Sequence, residues 1–132
     1  LVLFAQELGL NTCWVAMTYS KVKTAFQVEK GEKLCIVIAL GYGETQGLPH
    51  KSKSMEEVIQ LDEPAPEWFQ KGVEAALLAP TAMNQQKFLF RLDKNRVSVK
   101  AGFGFYTKID MGIVKYHFEI GAGKEHFQWE LS

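Results

Sequence analysis

Apolar and polar positions alternate along this chain with periods that change several times. Leu1-Val2-Leu3-Phe4-Ala5-Gln6-Glu7-Leu8-Gly9 reads as the last turns of a helix closed by a glycine just past its end. A turn then leads into the apolar stretch Leu10 to Met17. Ser20 suits the cap of a short helix from Lys21 to about Val28, with Val22 and Phe26 on one face. Leu34 to Leu40 is continuously apolar and rich in β-branched residues, the pattern of a central strand buried on both faces. Gly41 to Lys53 is a loop, and Ser54-Met55-Glu56-Glu57 fits a capping box for a brief helical turn.

Asp62-Glu63-Pro64-Ala65-Pro66 is the best internal boundary. Beyond it, Phe69, Val73, Ala76 and Leu77 recur at helical spacing, with Pro66 at the first position and Pro80 forcing a stop. Lys87 to Leu92 and Val97 to Ala101 form a predicted hairpin around Asp93-Lys94-Asn95-Arg96. Asp110 is placed to cap a helix from Met111 to about Ala122, whose expected buried face carries Ile113, Val114, His117 and Ile120. Phe127 to Leu131 alternates as an edge strand would. Glu7-Leu8-Gly9-Leu10 and Glu119-Ile120-Gly121-Ala122 form a short internal repeat, each closing a predicted helix ahead of a tryptophan.

Composition narrows the class. The 132 residues suffice for one domain with a usable core, and 47% hydrophobic against 23% charged residues describes a soluble globular chain. Fifteen basic residues balance fifteen acidic ones, which argues against nucleic acid as a partner. No apolar run is long enough for a membrane helix. Cys13 and Cys35, both in apolar surroundings, are too few for a disulfide scaffold and suggest a reducing, cytoplasmic compartment. The chain opens inside a helix, without a cap or an initiator methionine, which reads as a fragment lacking its upstream part.

Several segments carry candidate chemistry. Ala79-Pro80-Thr81-Ala82-Met83-Asn84-Gln85-Gln86 follows a helix stop with a cluster of hydrogen-bonding side chains, which makes either a ligand edge or an ordinary connection to the next strand. Gly41-Tyr42-Gly43-Glu44-Thr45-Gln46-Gly47 follows a strand, but the spacing departs from G-x-G-x-x-G and Pro49 blocks a following helix, so a dinucleotide fingerprint is excluded. His50-Lys51-Ser52-Lys53 sets two lysines two positions apart, an arrangement for clamping a phosphate or simply a solvated loop. Asn11-Thr12-Cys13 after a helix end can aim backbone N–H groups at a planar ligand or be a plain turn. Cys13 with His50, His117 or His126 shows no spacing that fixes a nucleophile and base, and no metal-ligand spacing is present.

Taken together these segments resemble the flavin-dependent nitroreductase family. Leu8-Gly9-Leu10-Asn11-Thr12-Cys13-Trp14-Val15 is similar to its LGLGTCWVG segment, and Ile38-Ala39-Leu40-Gly41-Tyr42 to its strand ending in LGYP. Lys51-Ser52-Lys53-Ser54-Met55-Glu56-Glu57-Val58 is similar to its K-x-R-x-P-x-E-E-V segment, and Ala79-Pro80-Thr81-Ala82-Met83-Asn84-Gln85 to its APSAxNxQP segment. In ordinary members the last of these comes first. The order found here is that of the putative TM nitroreductase type, in which two nitroreductase-like halves share one chain and mimic a dimer.

The resemblance implies an α+β fold, with a mixed sheet flanked by helices and present here as a partial domain. Residues 1–62 would be the C-terminal part of the first half and residues 63–132 the second half. It implies bound FMN and electron transfer from NADH or NADPH to nitro compounds or quinones, in a pseudo-dimeric monomer; a non-catalytic flavin- or nucleotide-binding module on the same scaffold is the alternative. By position, Lys51 and Lys53 would pair with the flavin phosphate. The backbone around Asn11, Thr12 and Cys13 would bond the isoalloxazine edge near N5. Pro80, Thr81 and Asn84 would line the flavin from the second half. The family's R-x-S-x-R phosphate motif has no counterpart in the chain, Lys53 stands where arginine is usual, and Lys87 stands near where Pro-Trp is common.

Overall fold

The computed structural model describes residues 1–20 and 26–130. The helix expected from Lys21 to about Val28 falls largely on residues outside that set. The chain divides into two compact units, Leu1–Leu48 and Pro49–Ser132.

In the first unit, α1 (Val2–Glu7) ends as the apolar pattern predicts. Gly9 adopts φ +74°, a left-handed conformation that costs glycine little. Its N–H bonds the Gln6 carbonyl at 3.0 Å, and the Leu10 N–H bonds that of Ala5 at 2.9 Å, which satisfies two carbonyls of the last turn. β1 (Asn11–Val15) follows and pairs antiparallel with β2 (Val37–Gly41), Asn11 opposite Gly41 and Val15 opposite Val37.

Two expectations fail here. Asn11-Thr12-Cys13 is strand, not turn. The apolar run from Leu34 becomes strand only at Val37, as one of two strands, and is not buried on both faces, since Ala39, Leu40 and Gly41 are exposed. Continuous apolarity reports β propensity at this point, not burial. Cys13 and Cys35 are likewise exposed free thiols, not packed residues. The loop after β2 is folded back by Asn11, whose Oδ1 accepts from the Gly43 N–H at 2.9 Å while its Nδ2 donates to the Thr45 carbonyl at 3.2 Å.

The second unit opens with a ribbon whose capping box forms, the Glu57 carboxylate accepting from the Ser54 N–H at 2.9 Å. Then come β3 (Ile59–Gln60), α2 (Glu67–Leu77), β4 (Phe88–Asp93), β5 (Arg96–Ala101), α3 (Thr107–Ala122) and β6 (Gln128–Trp129). The sheet order is β3-β4-β5-β6. The central pair is the antiparallel hairpin predicted from sequence, and each edge strand joins it in parallel after a helical crossover, through α2 or α3. The ribbon thus belongs to this sheet: buried Val58 accepts at its carbonyl from the Phe90 N–H at 2.8 Å.

The core forms between the sheet and the two helices. α2 buries Phe69, Val73, Ala76 and Leu77, the four residues its periodicity singles out. Phe69, Phe90 and Phe118 are fully buried. Phe118 is the hub, its ring centroid 4.8 Å from Phe90, 5.6 Å from Phe69, 5.1 Å from Phe127 and 5.4 Å from Trp129. The helices approach closely because two glycines face the contact. A Cβ on Gly72 would stand 2.6 Å from Phe118 Cε2, and one on Gly121 would stand 2.6 Å from the Ala75 Cβ.

α3 corrects the sequence reading twice. It begins at Thr107, with Tyr106 at φ 57° before it, so Asp110 lies within the first turn and is not the cap. Its buried face is Asp110, Val114, Phe118 and Ala122, while Ile120 is 57% exposed and His117 half-buried. The polar Asp110 on the inward stripe disguises the period. The repeat also shifts: the glycine past the end of α3 with a left-handed φ, +77°, is Gly123 and not Gly121.

The C-terminal end of α3 is tied to β6 by charge. Glu119 accepts from the Trp129 indole N–H at 2.8 Å and pairs with Lys124 at 2.7 Å. Partial burial works to raise the Glu119 carboxyl, but the Lys124 ammonium and the indole N–H outweigh it and hold the group below its ordinary value. Its bond to Glu119 in turn raises Lys124. A depressed carboxyl stabilises the fold above its unfolded value and loses that contribution as pH falls through the folded one. Glu119→Gln is therefore expected to cost about 1 kcal/mol near neutral pH, a difference that starts to shrink only below the ordinary carboxylate value and is gone once pH has fallen through the depressed folded one. Urea unfolding midpoints across that range measure the convergence.

Candidate functional site

The polar centre of the second unit forms where the ribbon 50–54 meets the turn that follows α2. Pro80 ends the helix as predicted, with α2 stopping at Leu77 and the Ala79 side chain buried. From there the backbone winds tightly: Met83, Asn84 and Gln86 all take positive φ, at 51°, 51° and 43°. Such angles cost a side-chain-bearing residue on the order of 1 kcal/mol each and persist only where other contacts enforce them.

Gln86 supplies those contacts. Its residue is only 2% exposed, and every polar group it has is bonded. Oε1 accepts from the Lys53 backbone N–H at 2.8 Å, and Nε2 donates to the Lys51 carbonyl at 2.9 Å and to Asn84 Oδ1 at 2.8 Å. Its own N–H donates to Thr81 Oγ1 at 3.0 Å, and its carbonyl accepts from Lys53 Nζ at 3.1 Å. Asn84 adds a second bond to the Lys51 carbonyl, 2.9 Å from its Nδ2. One buried amide thus holds the lysine segment against the turn as an added strand would.

Asp110 fixes the other side of the turn. Its Oδ1 accepts from the Ala82 N–H at 3.0 Å, and its Oδ2 accepts from Gln85 Nε2 at 2.7 Å. The residue read from sequence as a helix cap instead caps this turn from the first turn of α3. His50 Nε2 lies 2.9 Å from the Leu77 carbonyl, at the end of α2.

The structure brings together Lys51, Lys53, Thr81 and Asn84, with Pro80 exposed at the start of the same turn. Asn11, Thr12 and Cys13 belong to the first unit. Lys51 is exposed, Lys53 half-buried, and neither forms an ion pair among the described residues. The Lys53 ammonium spends one of its three donors on Gln86. The Asn84 amide is occupied on both sides by Lys51 and Gln86, so its first task is to shape the turn.

Sequence reasoning missed Gln86 and Asp110 as organisers. A signal for Gln86 exists: it stands two and four positions before Phe88 and Phe90, in phase with the buried face of β4. A polar residue on an inward phase needs partners, and those partners mark the site. Lys87 departs from the family pattern and acts as a loop anchor, its Nζ donating to the Phe103 carbonyl at 2.8 Å.

Comparison with known proteins bears on the family and the fold. The model of the family described as putative TM nitroreductase matches residues 1–122. Among solved structures, a putative nitroreductase from Thermotoga maritima is similar, with a TM-score of 0.66 and 23% identity. The match covers 90% of this chain and 48% of that one, so the chain spans about half the length of the protein it resembles. No curated protein is similar to the chain. The solved structure shares the fold, a mixed sheet flanked by helices, and the family model spans the lysine segment, the turn and α3 alike: the chain belongs to the putative TM nitroreductase family.

Proposed function

We propose that the chain serves an FMN-dependent oxidoreductase that passes electrons from NADH or NADPH to nitro compounds or quinones. The observation that carries this reading is the Gln86 latch. It joins the K-x-K and APTAMN segments, distant in sequence, into one polar surface bearing two cations without ion-pair partners among the described residues. That donor set fits a phosphate dianion held by point charges rather than by an arginine fork. Lys51 and the free donors of Lys53 hold the phosphate in this proposal, and the turn bearing Pro80, Thr81 and Asn84 lies along the flavin.

For the first unit, Asn11, Thr12 and Cys13 offer backbone groups to the isoalloxazine edge. β1 has β2 on one side and, among the described residues, no strand pairs with its other edge. FMN supplies hydride and electron-transfer chemistry when bound, and the protein supplies binding, orientation and charge. The same reading assigns residues 1–62 and 63–132 to two halves that together take the place of a dimer. Two exposed free thiols suit a cytoplasmic setting, and no helix among the described residues is long and apolar enough to cross a membrane.

The intact protein is expected to purify yellow and to quench added FMN. Lys51→Ala, at an exposed side chain, should weaken FMN binding about tenfold while leaving the circular dichroism spectrum unchanged. A colourless protein that ignores FMN overturns the reading. Bound FMN that no combination of NADH, NADPH and acceptor turns over would leave a flavin-binding module without catalysis.

A further inference from the structure

Two aromatic side chains near this turn stand in water on a backbone that is held in place. Phe103 is 100% exposed and Phe105 is 77% exposed. A loose loop would fold such rings inward; the backbone of this one is pinned at three residues. The Gly102 N–H donates to the Lys87 carbonyl at 2.8 Å, Lys87 Nζ donates to the Phe103 carbonyl at 2.8 Å, and Gln85 Nε2 donates to the Phe105 carbonyl at 2.7 Å. The loop backbone lies directly on these anchors: a Cβ on Gly104 would stand 3.3 Å from both Gln85 Cδ and Lys87 Cδ.

The anchors are shared with the candidate site. The Gln85 amide that holds Phe105 also bonds Asp110, whose other oxygen holds the Ala82 N–H. The loop and the turn proposed to lie along the flavin are therefore one hydrogen-bonded body. With the backbone already held, only the two side-chain torsions of each ring remain to be ordered when a ligand arrives, and the ring faces are best matched by another flat π surface.

We propose that Phe103 and Phe105 form a platform that stacks the aromatic or quinonoid ring of the electron acceptor, setting a preference for flat acceptors. This deepens the flavin reading and rests on it. The test compares the intact protein with its Phe103→Ala/Phe105→Ala double variant, using FMN fluorescence quenching and KM for p-benzoquinone, nitrobenzene and ferricyanide. Both substitutions remove exposed side chains, so folding and FMN affinity are expected to stay as they are. KM for the two flat acceptors should rise about five- to tenfold, and KM for ferricyanide should not change. Equal KM values for all acceptors in both proteins overturn the platform while leaving the flavin reading intact, as does a uniform shift in all three. So does a variant changed only in oligomeric state, which would make the patch a contact between copies. A wild-type protein that binds no FMN overturns the flavin reading itself, and the platform with it.

Discussion

Gln86→Ala should separate the lysine segment from the turn and weaken FMN binding by more than about a hundredfold, a larger loss than either lysine variant alone. The side chain makes three of the bonds described above: its truncation strands the Lys53 N–H and Asn84 Oδ1, leaves the Lys51 carbonyl to Asn84 Nδ2 alone, and removes the restraint on three residues of positive φ. Each unsatisfied buried group costs about 1–3 kcal/mol, and water entering the vacated space recovers part of it, so a net destabilisation of about 2–4 kcal/mol is expected. The informative comparison is Gln86→Glu. It keeps the acceptor for Lys53 but loses the donor for Lys51 and Asn84, so it should fall between wild type and alanine in chemical denaturation and in FMN titration. If Gln86→Ala unfolds at the wild-type urea concentration, the latch is not holding the ribbon.

Phe118→Ala is expected to be the most damaging single change to stability, about 3–5 kcal/mol, enough to leave a marginal domain substantially unfolded. Phe118 is fully buried and its ring meets those of Phe69, Phe90, Phe127 and Trp129, so truncation opens a cavity bounded by both crossovers. The neighbours cannot collapse into it freely, because the hairpin holds Phe90 and the α2 backbone is held against α3 at Gly72. Phe118→Leu refills part of the volume and should recover roughly half of the loss. Thermal unfolding followed by near-ultraviolet dichroism reads both variants. A Tm lowered by less than about 3 °C in Phe118→Ala would mean that the aromatic cluster does not carry the core.

The elements with strong, uninterrupted periods were legible in the sequence. The Phe69, Val73, Ala76, Leu77 stripe gave α2 its buried face, and the Asp93–Arg96 interval gave the hairpin its turn. α3 was legible in existence but not in phase. Its inward stripe begins with a carboxylate, and a carboxylate before an apolar run reads as a cap until its partners in another segment are known. The strand at Val37 was legible as a strand but not as an exposed one, because apolar content does not say what covers it.

The candidate site divides the same way. Lys51, Lys53, Thr81 and Asn84 were legible as members of family-like segments, and the structure joins those segments through contacts that span more than 30 residues of sequence. No local pattern encodes a bond of that range. Its one sequence trace is Gln86, an amide in phase with Phe88 and Phe90, whose meaning depends on the groups that meet it.

The glycines at 72 and 121 bear on how this fold tolerates improvement. Glycine inside a helix is ordinarily the first residue replaced when a protein is to be made more robust, since alanine there gains about 0.5–1 kcal/mol from the unfolded state. Here each would drive a methyl group into the facing helix at 2.6 Å, so the usual gain reverses sign. A search for hardier variants by helix propensity alone would select against this close approach of α2 and α3. The room for such gains lies on the exposed outer faces of the two helices, where Gly112, with no neighbouring atom within 4 Å of its absent side chain, is the open position.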